Sequence, residues 1–120
     1  MIKNMNLIND KIRNFSFENI EYIAGFCLKF QNRSIEDNCV LDIDFIIEEQ
    51  GTQYSACFRF YKPNRINFEC GGIYQQISIA VLDIRDRGWE NKKFEVIDYE
   101  EDTVHFYCTD IEVISVSELN

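Results

Sequence analysis

Proline occurs once and glycine five times in 120 residues, which leaves no room for a proline-rich linker, a collagen-like repeat or a flexible glycine tail. Long apolar runs are missing as well. No stretch approaches the roughly 18 uninterrupted apolar residues of a membrane helix, and polar residues break up Ile2, Met5, Leu7 and Ile8, so no secretory h-region is present. Histidine is reduced to His105 and tryptophan to Trp89. The five cysteines, Cys27, Cys39, Cys57, Cys70 and Cys108, are odd in number and lack C-x-x-C spacing, which argues against a disulfide framework or a zinc knuckle. Cys39 and Cys70 instead fall in phase with apolar neighbours, as small buried hydrophobes do. Reduced thiols imply the cytoplasm.

Catalytic signatures are absent too. No G-x-S-x-G, H-E-x-x-H or S-x-x-K occurs, and Gly71-Gly72 lacks the lysine and following helix of a phosphate loop. The expectation is a protein that is not an enzyme and needs no cofactor or metal. Cations are scarce: Lys and Arg number 12 against 21 Asp and Glu, a net charge of −9. Residues 1–35 carry five basic and three acidic groups, residues 36–89 five and nine, and residues 90–120 two and nine. Such a field repels phosphate backbones and attracts a basic partner.

What is present is a globular composition, 46% apolar and 14% aromatic, fitting one domain over residues 1–120. From Ile20 the dominant period is two. Ile20, Tyr22, Ala24, Phe26, Leu28 and Phe30 face one way, Glu21, Gly25 and Lys29 the other. A second strand sets Cys39, Leu41, Ile43, Phe45 and Ile47 opposite Asp42, Asp44 and Glu48, and a third alternates Tyr54, Ala56, Phe58 and Phe60 with Gln53, Ser55, Cys57 and Arg59. A two-residue turn at Gln50-Gly51 makes opposing numbers sum to 101, so Ile47 meets Tyr54, Phe45 meets Ala56, Ile43 meets Phe58, Leu41 meets Phe60, and Asp42 meets Arg59.

Lys62-Pro63-Asn64-Arg65 ends that strand. The next, through Ile66, Phe68 and Cys70, is expected to turn at Gly71-Gly72-Ile73-Tyr74 and pair Phe68 with Ile77. The run from Gln76 to Ile84 is apolar on both faces, with Ile77, Ile79 and Val81 on one and Ala80, Leu82 and Ile84 on the other, which predicts a strand covered on both sides. Phe94–Tyr99 and Thr103–Cys108 form another hairpin around Glu100-Glu101-Asp102, and Ile111–Val116 ends the fold. Ile2, Met5, Ile8 and Ile12 predict a short N-terminal helix, weakened by four asparagines. The fold class is therefore mainly β: seven to eight antiparallel strands as a sandwich or partly open barrel.

Few residues stand out for chemistry. A register summing to 203 sets His105 across from Asp98, whose carboxylate would hold an imidazolium, while parity sends Cys108 to the other face and breaks any Cys–His pair. Asp42 and Asp44 lie about 7 Å apart on one side of a strand, able to bridge a hard cation but not to cage it, and Arg59 already answers Asp42. The acidic group Asp98, Glu100, Glu101 and Asp102 reads as a docking patch for a basic protein partner. Trp89, in a charged turn, either caps an open barrel end or joins that interface. These five residues are the candidate partner-binding site. The competing readings are a small-molecule-binding barrel and a structural homo-oligomer joined through edge strands.

The segments Asp83-Ile84-Arg85-Asp86-Arg87-Gly88-Trp89-Glu90, Phe94–Glu100, Phe106-Tyr107-Cys108 and Ile111-Glu112-Val113 resemble small β-rich proteins of low-GC bacteria, some of them similar to immunity proteins of polymorphic toxins. The resemblance spans roughly residues 76–116 and rests on strand pattern and a turn tryptophan, so it carries over no catalytic residues. It implies a cytoplasmic acidic protein that occludes a toxin's active surface and has no chemistry of its own.

Overall fold

The Gln50-Gly51 turn shows best how local sequence sets this fold. Both residues take left-handed backbone, φ +50° and +83°, the geometry whose twist matches a two-residue hairpin. It joins β3 (Asn38–Glu49) to β4 (Thr52–Tyr61), and every pair in this hairpin sums to 101, as expected. The computed structural model describes residues 2–31, 38–69 and 75–119.

Around this hairpin the chain lays down β1 (Ile2–Lys3), α1 (Asn6–Asn9), β2 (Ile20–Gln31), β5 (Asn64–Phe68), β6 (Gln75–Gln76), β7 (Ile79–Asp83), β8 (Phe94–Asp98), β9 (Val104–Cys108) and β10 (Asp110–Leu119). They form two sheets, β1-β10-β4-β3-β2-β6 and β5-β9-β8-β7, antiparallel except where β1 runs parallel to β10. The sheets face each other without closing into a barrel. The buried residues of both make one cluster, in which the Phe106 ring of the smaller sheet meets Phe60 of the larger edge-on at 5.0 Å. Phe26 stacks on Phe68 at 4.2 Å across the same gap. The predicted N-terminal helix is present as one short turn. Ile8 and Ile12 are fully buried, α1 lies against β10, and the turn at Phe17–Asn19 reaches both β3 and β7. Among the described residues, no helix is long and apolar enough to cross a membrane.

Four expectations are corrected. The strict alternation of β2 fails because bulges after Ile20 and after Ile23 each shift its facing by one residue. Ile23 is therefore buried in place of Tyr22, and Phe26 returns to the core side. Phe68 does not pair with Ile77: β5 pairs with β9, and β5 and β7 occupy opposite edges of the smaller sheet. The intervening Cys70 and Gly71-Gly72-Ile73-Tyr74 lie outside the described residues. The apolar run from Gln76 is not one doubly covered strand. It divides where the chain crosses between sheets, β6 pairing with β2 and β7 forming an edge, so Leu82 stays 44% exposed while Ile77, Ile79 and Ile84 are buried. The β8–β9 register sums to 202, not 203, placing His105 across from Ile97. The two-residue strands β1 and β6 carry the total to ten among the described residues, above the seven to eight expected.

Candidate interaction surface

The shift from 203 to 202 changes what Asp98 does. Even-numbered residues of β8 and β9 point inward, so Asp98 is 1% exposed at the mouth of the tip loop. Its Oδ1 accepts from the backbone N–H groups of Ser78, Glu100 and Glu101, and its Oδ2 from the N–H and hydroxyl of Thr103. Burial pushes the carboxyl up, but the Thr103 hydroxyl and the N–H groups of Glu101, Glu100 and Ser78 outweigh it and hold the group below the usual carboxylate range. Asp98 thus builds the loop from inside. Glu100, Glu101 and Asp102 are exposed around it, Asp102 in left-handed backbone at φ +54°.

Odd-numbered residues of the same strands face outward. Glu95 and Ile97 on β8 align with Tyr107 and His105 on β9, and with Leu82 and Ala80 on β7. His105 Nε2 lies 2.7 Å from Glu95 Oε2, so its carboxylate partner is Glu95 rather than Asp98, and Cys108 is buried on the opposite face. Trp89 caps no interior. It is 43% exposed and stands edge-on to Tyr107 at 6.3 Å, with Arg87 5.4 Å and Lys92 5.2 Å from its ring centre. Because β8 is five residues long, Trp89 and the acidic tip sit at opposite ends of the hairpin, about 16 Å of strand apart. The five candidates therefore do not converge on one point; four lie in or at the tip and Trp89 lies beyond the far end.

The outer face of the larger sheet carries an ion-paired cluster. Arg59 grips Asp42 with two bonds, 2.8 and 3.0 Å, and Lys29 adds a third at 3.2 Å. Arg59 chiefly, helped by Lys29, holds the Asp42 carboxyl below its ordinary value against the effect of burial. Tyr61 donates to Glu112, which also accepts from Asn4. Among the described residues no group of three or more His, Cys, Asp or Glu is placed to hold a metal ion.

Charge counting by segment missed one feature. Two adjoining clefts, of about 630 and 610 Å³, share Lys62, Glu90 and Asn91 and run along the junction of β4, β5 and the loop leading to β8. Among the described residues seven cations line them, against two acids, Glu90 and Asp110. The available signals were the two cations flanking Pro63 and the Lys92-Lys93 pair, both averaged away in acidic segments. The family described as Immunity protein PIM8 matches residues 6–114. No curated protein and no solved structure matches the chain.

Proposed function

The chain belongs to the immunity protein PIM8 family, and from that premise we propose that it works by binding: a cytoplasmic single-domain inhibitor that occludes a toxin and performs no reaction itself. The observation that carries this reading is Trp89, held upright and 43% exposed by Tyr107, Arg87 and Lys92 at one end of an outward strand face. A tryptophan fixed in this way loses little freedom on docking, which is the character of an interface anchor. The acidic residues Glu100, Glu101 and Asp102 at the other end meet a basic patch on the toxin, with Glu95, Ile97, His105 and Tyr107 between them. Both ends fit inside a standard footprint of about 800 Å² per partner. Cys27, Cys57 and Cys108 are free thiols, in keeping with a reducing compartment.

The test starts by capturing the partner from the native organism's lysate at low salt, identifying it, and expressing it with and without this chain. Growth is restored by the wild-type chain. Trp89→Ala and the triple charge reversal at Glu100, Glu101 and Asp102 each weaken the complex, the tryptophan change by about 2 kcal/mol or more. A complex that neither change weakens refutes this placement of the interface.

A further inference from the structure

We infer that the two adjoining clefts form one cation-lined groove that holds an extended acidic segment of the protein partner. That the segment belongs to the toxin rests on the immunity reading above; the groove itself does not.

The first argument is local inversion of charge. In a chain of net charge −9, the clefts gather, among the described residues, seven cations and two acids. Arg59 and Arg85 are answered by Asp42 and Asp83. Lys3, Lys62, Arg65, Lys92 and Lys93 have no acidic partner among the described residues, although the chain has acids to spare. Cations gathered on two adjoining clefts repel one another, and an anionic occupant removes that cost.

The second argument is backbone strain. Lys62 and Arg65 take left-handed backbone, φ +51° and +56°, on either side of buried Pro63. That conformation is unfavourable for long side chains and persists where the surrounding structure imposes it. Here it turns both cations into the second cleft. The third is preorganisation. Asn64 Nδ2 donates to the Asn91 carbonyl at 2.9 Å, tying the two rims together, and Lys93 Nζ donates to the Trp89 carbonyl at 2.8 Å, bracing the loop that forms one of them. Trp89 supplies an apolar wall.

An extended acidic peptide places alternate carboxylates on one side, so several of them face the lining cations of the two clefts at once. A nucleic acid fits worse. Its charge continues beyond any short groove, and the remainder would face the acidic bulk of this chain.

The chain's sole tryptophan lines the groove, so its fluorescence reports occupancy directly. Hexaglutamate is titrated against the full chain, with inorganic pyrophosphate as the competing anion. The key variant is K62N/R65N. Asparagine tolerates left-handed backbone better than other side chains, so this pair removes two charges without adding strain. K11N/R13N removes the same charge outside the groove. Thermal melts confirm that both fold. The expected result is saturable, salt-sensitive binding of hexaglutamate, weakened about 5-fold by K62N/R65N and unchanged by K11N/R13N. No saturable signal, or equal weakening by both variants, overturns the groove. Pyrophosphate binding as tightly as hexaglutamate makes it a small-anion site and overturns the peptide assignment. Concentration-dependent self-association abolished by K62N/R65N makes the occupant a second copy's acidic tip, and equally overturns the assignment to a partner.

Discussion

Replacing Asp98 by asparagine isolates what holds the acidic tip in shape. In the wild-type chain Oδ1 takes three backbone N–H groups at 3.2 to 3.4 Å, and Oδ2 takes the N–H and hydroxyl of Thr103. An asparagine keeps the first set but turns an NH₂ toward the Thr103 N–H, leaving one buried donor facing another. An unsatisfied buried donor costs about 1–3 kcal/mol, and charge assistance is lost from long, individually weak bonds, so the change should cost about 2 kcal/mol. With an unfolding entropy near 2.1 cal/mol/K per residue, a chain of this length should lose about 8 °C in Tm.

Acid provides the second half of the test. The Asp98 carboxyl is held below its ordinary 3.8 when folded, so the unfolded chain binds that proton more readily. Its contribution is complete above that ordinary value and is lost as pH falls through the lower folded value. Asparagine carries no such proton. The gap in Tm between wild type and Asp98→Asn, measured by calorimetry, should be widest at neutral pH and should narrow on acidification below about pH 4. A gap that is absent at neutral pH, or equally wide in acid, refutes the account of the tip.

Other perturbations probe the rest of the fold. Phe106→Ala removes a fully buried ring packed on Phe60 between the sheets and should cost about 3–5 kcal/mol in urea unfolding, where a loss under about 1.5 would mean that the sheets do not pack through it. Gly51→Ala, at φ +83°, should destabilise by about 1 kcal/mol while Gln50→Asn, at φ +50°, should stabilise by about 0.5, and melts in which both move the same way contradict the turn assignment. Burial, with help from Asp44, pushes the Cys57 thiol up to about 11, and burial pushes Cys108 up to about 12, whereas Cys27 is exposed. Peptide mapping after alkylation near pH 8 should find Cys27 modified well before either, and equal rates would show that the two sites open to solvent.

Much of this architecture follows from short-range pattern. The β3–β4 hairpin is legible because the turn residues and the alternation of both strands agree, and the same arithmetic delivers the Asp42–Arg59 pair. The candidate surface is legible only in part. Trp89 and the acidic tip stand out as residue types, yet the side to which Asp98 points depends on one unit of register between β8 and β9, and a slip of one exchanges inside for outside. Two bulges in β2 do the same to Tyr22 and Ile23.

Composition and periodicity by themselves determined the β class, the excess of acid, the lack of catalytic signatures and the β3–β4 hairpin closed by its two-residue turn. Only tertiary structure decided that β10 lies between β1 and β4, that β5 and β7 stand at opposite edges, and that Lys3, Lys62, Arg65, Lys92 and Lys93 line two adjoining clefts. The reason is physical. A turn and an alternating strand are fixed by interactions among near neighbours, whereas strand order and charge clustering are set by which distant segments bury their apolar faces together, a choice made by the whole core at once.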